Sequence, residues 1–600
     1  MGENGWEGRG APGGHEVSDT ASTRHSSLVT RHSIEVAQGR RPADLALVGG
    51  RVVNVFSQEV EDVAVLVADG RVAALPADLR GYPAARETLD LGGRYLAPAF
   101  IDGHIHLESA QLWVGEFARV TVPRGTGAVV ADPHEVANVL GLEGMAALIE
   151  GARGLPQRIF FAAPSCVPAS PRETSGAVLD AAALAPALDW PGVVGLGEMM
   201  NYPGVLAADP DVLAKVTAAR ARGLPVDGHA PGVGGAALDA YAAAGVMADH
   251  ESTELAEARA KLRRGLVVMI RDGSTARNLD ALLPLVTPAT ADRCAFVSDD
   301  RDAATLLHEG HLDAILRRAV AGRLDPLLAL RLVTLNPARF WRLDGLGAVA
   351  PGYHADLVAL DDLRDFRVAL TLHGGRVVAR DGAALFDTPA APPAALRGTM
   401  RPAPLAPDAL RLPDPGGEMT IVEALPGQII TRRRRERPTV RDGAVVADPA
   451  RDLLKLVVVE RHRATGNVGV GLVRGFGLRR GALASSVGHD AHNLVAVGAD
   501  DADLRAALDA LVALDGGLVA VAGGEVLAAL PLPLAGLLSD RPAAEVVAAQ
   551  DRLEAAARDL GCAAPAPFAL LSFMPLSVIP EIRVTDQGLV DLTETIDDRR

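Results

Sequence analysis

The chain is poor in cysteine. Three stand in 600 residues, Cys166, Cys294 and Cys562, far apart and without a C-x-x-C pair. This excludes a disulfide framework and a thiolate-built structural zinc site, and it suits a reducing compartment. Lysine is equally scarce: Lys215, Lys261 and Lys455 are the whole complement among 59 basic residues. The arginines that outnumber it are scattered, a bias that fits a GC-rich genome better than a binding face.

Positive charge is in deficit too. A net charge of −16 and a pI near 5.4 leave no electrostatic footprint for nucleic acid or anionic lipid. The four arginines at 432–435 read as a solvated loop. No uninterrupted apolar run reaches about 18 residues, and no signal-peptide pattern of charge, apolar stretch and cleavage site occurs. The expectation is a soluble, cytoplasmic protein with neither a membrane nor a nucleic-acid partner.

Hydrophobic residues, at 49%, are ample for packed cores, and 600 residues are too many for one core. Residues 1–40 are rich in Gly, Ser, Thr, Arg and His without apolar periodicity, which predicts a disordered extension. Short apolar runs at 45–48, 51–55, 63–67 and 71–75, punctuated by Gly49-Gly50 and Asp69-Gly70, predict a small antiparallel sheet. Similar runs return at 347–349, 355–360 and 370–378, so one small β domain is expected from both flanks, 41–95 with 345–390. Between them, 96–344 alternates strand-like runs with Ala-rich helical stretches. Roughly 245 residues of such alternation is the size of a (β/α)8 barrel. A Pro/Ala-rich linker at 391–416 leads to a C-terminal region, 417–600, where strands mix with a helix at 501–514; an α+β domain is expected.

Polar residues stand where the barrel strands should end. His104 and His106 close an apolar run and share one face of a strand. Glu198, His229, His250 and Asp299 each follow a later run. Singly, each has an ordinary reading: a loop histidine, or a helix cap for Glu198 and Asp299. Together, at the C-terminal ends of barrel strands, four imidazoles and two carboxylates suit one or two divalent transition metals. The glycines of Gly232-Val233-Gly234-Gly235 lack the order of a phosphate-binding loop.

The order His-x-His, Glu, His, His, Asp resembles the amidohydrolase superfamily, with metal ligands after strands 1, 4, 5, 6 and 8. The strand-4 lysine common there has no counterpart, because Lys215 falls in a helical stretch; Glu198 is its natural substitute as the bridging group. The resemblance narrows to the adenine deaminase family. It rests on His104-Ile105-His106-Leu107-Glu108-Ser109, Asp132-Pro133-His134-Glu135, Gly197-Glu198-Met199-Met200-Asn201, Gly228-His229-Ala230-Pro231-Gly232, Asp249-His250-Glu251-Ser252 and Ser298-Asp299-Asp300-Arg301. Beyond the barrel it continues in Ser485-Ser486-Val487-Gly488-His489-Asp490-Ala491-His492-Asn493, in 532–540 and in 579–590. It covers about 30–600; Ala110 in place of a second serine and the N-terminal extension are the departures.

The resemblance implies hydrolysis of adenine at C6 to hypoxanthine and ammonia, a step of purine salvage. It implies a binuclear centre of manganese or iron, with zinc admitted. His104 and His106 would bind one ion, His229 and His250 the other, with Glu198 between them and Asp299 as ligand and proton shuttle; Asp300 is the alternative shuttle. Catalytic roles are expected for His134 and Glu251, and substrate contacts for His134, Glu135 and Asp300. His489, Asp490 and His492 form a second polar cluster that could close over the site, hold a further ion or fix a turn. A homodimer is the default assembly. The competing enzyme reading is another amidohydrolase, acting on a cyclic amide or a different amino-substituted ring; the C-terminal motifs argue against it. A sensor that had lost its chemistry should lack ligands, and none is missing. The deaminases with a P-C-x-x-C zinc signature are excluded by the cysteine spacing.

Overall fold

All six residues of the run that ends in the paired histidines are buried, as in a parallel strand covered on both faces. The computed structural model, which describes residues 30–388, 391–425 and 430–592, makes it the first of eight. They are β1 Phe100–Ile105, β2 Thr126–Ala131, β3 Arg158–Ala163, β4 Val193–Met199, β5 Val226–Gly228, β6 Ala248–Asp249, β7 Val267–Arg271 and β8 Cys294–Val297. β1 to β5 are neighbours in sequence order and parallel, as are β6 to β8. Met247 N–H, donating to Val226 O at 3.0 Å, joins the two sets. The barrel closes just past β8, where Asp299 N–H donates to His104 O (3.0 Å) and His106 N–H to Asp299 O (3.3 Å). Asp299 takes a positive φ of 56° to make that turn, a conformation aspartate tolerates better than most residues.

The barrel interior is filled by Ile101, Val130, Phe160, Met269 and Val297, packed against Trp341 from the helix Leu335–Trp341. The Trp341 indole donates to Gly103 O at 2.6 Å. Gly195 on β4 is small because a Cβ there would lie 2.3 Å from the Trp341 ring.

Strands from both flanks share one core, with Leu45, Leu47 and Leu96 against Leu357 and Leu372. The sheets are mixed, where the sequence predicts antiparallel pairing. Leu45–Val48 runs parallel to Glu87–Asp90, and Arg51–Asn54 parallel to Tyr95–Pro98. The chain crosses to the other sheet between the members of each pair, and such crossovers return strands in parallel. Within the expected 1–40 extension, residues 1–29 lie outside the described residues. From Thr30 the chain is ordered: Arg31–Ala37 is a helix capped by Thr30 Oγ1, which accepts from Ser33 N–H at 3.0 Å. Val36 is its anchor, buried with Ala43 and Leu66.

The bridge 391–416 is partly built into the C-terminal unit. Leu396 is buried, its carbonyl accepts from Ala535 N–H at 2.6 Å, and Leu412–Pro413 pairs with Ala444–Val446. That unit carries an eight-stranded sheet: β9 Met419–Ala424, β10 Thr431–Glu436, β11 Leu454–Val459, β12 Val468–Arg474, β13 Ala482–Ser485, β14 Leu494–Gly498, β15 Gly517–Ala522 and β16 Glu525–Pro531. Their order is β10-β9-β12-β11-β14-β13-β15-β16. Helices Asp501–Ala513 and Ala543–Asp559 contact β15 and β16. The arginines at 432–435, read as a loop, lie on the edge strand β10. Alternation is absent there because these side chains are all exposed, with Arg433 and Arg434 paired to Asp591 (2.6 Å) and Glu423 (2.8 Å). Among the described residues, no helix is long and apolar enough to cross a membrane.

Candidate metal centre and active site

The barrel strands deliver their terminal side chains to one point. His104 Nε2 lies 3.3 Å from His106 Nε2 and 3.3 Å from Asp299 Oδ1. His106 Nε2 is 3.1 Å from Asp299 Oδ1 and 3.2 Å from Glu198 Oε1. The other oxygen of Glu198 lies 2.5 Å from His229 Nδ1 and 3.1 Å from His250 Nε2. Glu198 thus spans two donor groups, one ending β1 and one following β5 and β6. His104/His106/Glu198, His104/His250/Asp299 and Glu198/His229/His250 each bring their donor atoms within 4.8 Å of one another. All six side chains are buried.

The rings are oriented from behind. His106 Nδ1–H donates to Asp132 O at 3.0 Å, so that in the neutral ring Nε2 is the lone-pair nitrogen facing the cluster. His104 Nδ1 donates to Asp227 Oδ2 at 2.8 Å with the same effect. Such outer hydrogen bonds fix the tautomer that a metal needs. Asp132 also accepts from Glu198 N–H at 2.8 Å, holding the end of β4.

Burial alone would lower the imidazole pKa values, but the facing carboxylates overcome it. Asp227 and Asp299 bring His104 up to about 10, and Glu251 with Glu198 brings His229 up to about 9. Conversely, burial would raise Glu198 and Asp299, yet both are held well below the usual carboxylate range. His229 and His250 do this for Glu198, Arg271 and then His104 for Asp299. A cluster of acids that must pull protons onto its imidazoles has the charge and donor set of a divalent-metal site.

The remaining expected residues are distributed differently. His134 lies edge-on to His106 (centroids 4.6 Å apart), and its buried Nδ1 has no hydrogen-bond partner. Asp300 accepts from Ser109 Oγ–H, whereas Asp299 faces the two β1 imidazoles. Glu135, expected at the substrate, has both oxygens occupied by C-terminal histidines: Oε1 by His489 Nδ1 at 2.7 Å, Oε2 by His492 Nε2. Glu251, expected to move protons, also has both oxygens occupied, by the Arg271 guanidinium (Oε2 at 2.8 Å). The same Arg271 Nη1 donates to Asp299 Oδ2 at 2.6 Å. Lys215 sits in the helix Pro210–Ala221, its ammonium donating to Ser165 O at 3.0 Å.

Asp132, Asp227 and Arg271 had no role assigned from the sequence. Arg271 ends the apolar run of β7 much as Glu198 stands near the end of β4, so the same strand-end criterion could have found it. Asp227 is two residues before His229 and shares its side of the strand. The cavity over the cluster, about 480 Å³, is roofed by the C-terminal unit, through the loop between β13 and β14 (His489, Asp490) and through Phe573, Leu576 and Ile579.

Known proteins match this chain over nearly its whole length. The amidohydrolase family model matches residues 95–378, and the adenine deaminase C-terminal domain model residues 428–595. The adenine deaminase of Dehalococcoides mccartyi is 46% identical over 559 residues, 93% of this chain and 97% of that protein. That of Nitratidesulfovibrio vulgaris is 47% identical over 567 residues (93% and 96%). That of Methanothrix thermoacetophila is 45% identical over 563 residues (94% and 97%).

Proposed function

The chain belongs to the adenine deaminase family, and from that membership we infer that it hydrolyses adenine to hypoxanthine and ammonia. The observation that carries the chemistry is the convergence of four imidazoles and two carboxylates at the ends of barrel strands. The donor set fits a divalent pair, with Glu198 between the two histidine groups. A divalent ion held there would supply an activated water, its pKa lowered towards about 7.

The side chains do the rest. Asp299 Oδ1 takes the proton of the attacking water as the C6–O bond forms, then returns it to the departing amino nitrogen as C6–N breaks. One water enters, one ammonia leaves, and the ring keeps its electron count. His134, which lines the cavity beside His106, is placed to hold or protonate a ring nitrogen. Glu251 acts at one remove: with both oxygens on Arg271, it anchors the guanidinium that fixes Asp299 Oδ2. The same reading includes manganese or iron, since imidazole and carboxylate without thiolate favour them alongside zinc. It also places the chain in the cytoplasm, in keeping with three buried, unpaired cysteines, as a homodimer returning a purine base to salvage.

The test is ammonia and hypoxanthine release from adenine by manganese-loaded protein, with metal content measured beside it. Product with about two metals per chain supports the assignment. Bound metal without product moves the substrate to another amino-substituted ring or a cyclic amide.

A further inference from the structure

The roof of the metal cavity holds a carboxylate that the chemistry above does not use. Of the carboxylates lining that cavity, Glu198 and Asp299 face the imidazoles, Glu251 is held by Arg271, Glu135 by His489 and His492, and Asp300 takes Ser109. Asp490 is left. It is 2% exposed, and its Oδ2 is buried with no hydrogen-bond partner. Its Oδ1 lies 3.6 Å from His489 Nδ1, an imidazole already committed to Glu135 at 2.7 Å. An unmade hydrogen bond on a buried charged group is costly, and such groups in native proteins point to a missing partner.

The cavity orients that partner. Its floor is the metal-type cluster at the strand ends; Asp490 comes from the C-terminal unit that roofs it, which also contributes Phe573, Leu576 and Ile579 to the lining. A purine that presents C6 to the floor presents its imidazole ring to the roof. We propose that Asp490 accepts the imidazole-ring N–H of a free purine base, and so selects the base over purines substituted at N9. This rests on the adenine reading of the site and adds what that reading lacks: a reason for the C-terminal unit to sit over the barrel. Glu173 sits close enough to matter: burial, then the charge of Asp490, pushes its carboxyl well above the usual range.

A base carries the ring N–H, whereas an N9-alkyl or N9-ribosyl purine does not. A site built around a hydrogen bond rejects the analogue that cannot make it far more strongly than an apolar pocket rejects extra bulk. The experiment uses full-length, manganese-loaded enzyme and compares wild type with D490L and D490N. It measures kcat and KM for adenine, and inhibition by hypoxanthine and by 9-methylhypoxanthine, with metal content as control. Wild type is expected to favour hypoxanthine over its 9-methyl form by about tenfold or more, the worth of a hydrogen bond to a charged group. D490L should raise KM by a similar factor, bring the two inhibitors within about threefold of each other, and keep its metal. D490N, which retains an acceptor oxygen, should fall between, and it carries the comparison alone if D490L does not fold. A merely structural Asp490 would change stability without changing the inhibitor ratio. The proposal is overturned if wild type deaminates adenine while both variants keep the wild-type KM and inhibitor ratio. A wild type that leaves adenine untouched instead removes the functional reading beneath it.

Discussion

Asp299 and Glu251 are both carboxylates on one guanidinium, yet they do unlike work, and substitution should separate them. Asp299→Asn removes the group proposed to accept the water proton, so kcat should fall by about 10²–10⁴ while bound metal persists. Glu251→Gln leaves Asp299 intact, loosens its anchor and removes a charge beside His229; a smaller loss in kcat, about tenfold, is expected from a misplaced rather than missing group. Steady-state kinetics beside metal analysis checks both, and equal losses would return Glu251 to a direct role in proton transfer. The imidazoles make a pH prediction at the same scale. His104 is raised to about 10 and His229 to about 9, so in the metal-free protein both are protonated at pH 7. Their contribution to stability is complete below an unfolded pKa of about 6.5 and is lost as pH climbs through 9 to 10. Metal ligation needs the neutral rings. Manganese uptake at pH 7 should therefore release protons, read by indicator dye, and tighten with rising pH. Uptake without proton release would show that the imidazoles were neutral beforehand.

At the scale of elements, the barrel was legible because its strands are short apolar runs that end in conspicuous residues. His104, His106, Glu198, His229, His250 and Asp299 stood out because imidazoles and acids are unusual at the ends of buried runs. Arg271 meets the same strand-end criterion, but a lone arginine after an apolar run reads equally as a strand meeting solvent; closure of the barrel turns it inward. The parallel pairs of the flanking sheets were hidden for a similar reason, as each is made by strands about forty residues apart. Nor does local pattern show why β4 carries a glycine at 195. In the folded chain that position abuts Trp341, and a Cβ would meet its ring at 2.3 Å and Pro225 O at 2.9 Å. Gly195→Ala should thus cost about 1–3 kcal/mol by overpacking. Thermal unfolding checks this, and since Glu198 lies three residues on, a milder loss of activity should accompany it. A variant as stable as wild type would mean that the Trp341 helix can shift.

For the whole molecule, the question is what holds the C-terminal unit over the barrel mouth. Glu135 lies in the first turn of the helix His134–Gly151 of the barrel, and His489 and His492 belong to a loop more than 350 residues later in the chain. No periodicity connects them, so the sequence showed two separate polar clusters where the fold makes one contact. Burial would raise the Glu135 pKa, yet His489 and His492 hold it well below the carboxylate range. His492 Nδ1 accepts from Gly488 N–H at 3.3 Å. Its Nε2 therefore carries the proton given to Glu135, which suits a hydrogen-bonded latch rather than a further metal ion. Two of the other hydrogen bonds between the units involve no charged group: Ser539 N–H to Gln111 O at 2.9 Å and Thr585 Oγ1–H to Arg172 O at 2.7 Å. Removing the charge of a buried pair leaves its partners uncompensated, at a cost of about 3–5 kcal/mol. Glu135→Gln should consequently free the roof while leaving the six cluster residues in place. Metal content should hold near the wild-type value, KM for adenine should rise more than kcat falls, and the bridge at 391–411 should become more sensitive to protease. If KM and proteolysis both stay at wild-type levels, the two units are held by their apolar contacts instead, and the Glu135 pair only orients His489 beside Asp490.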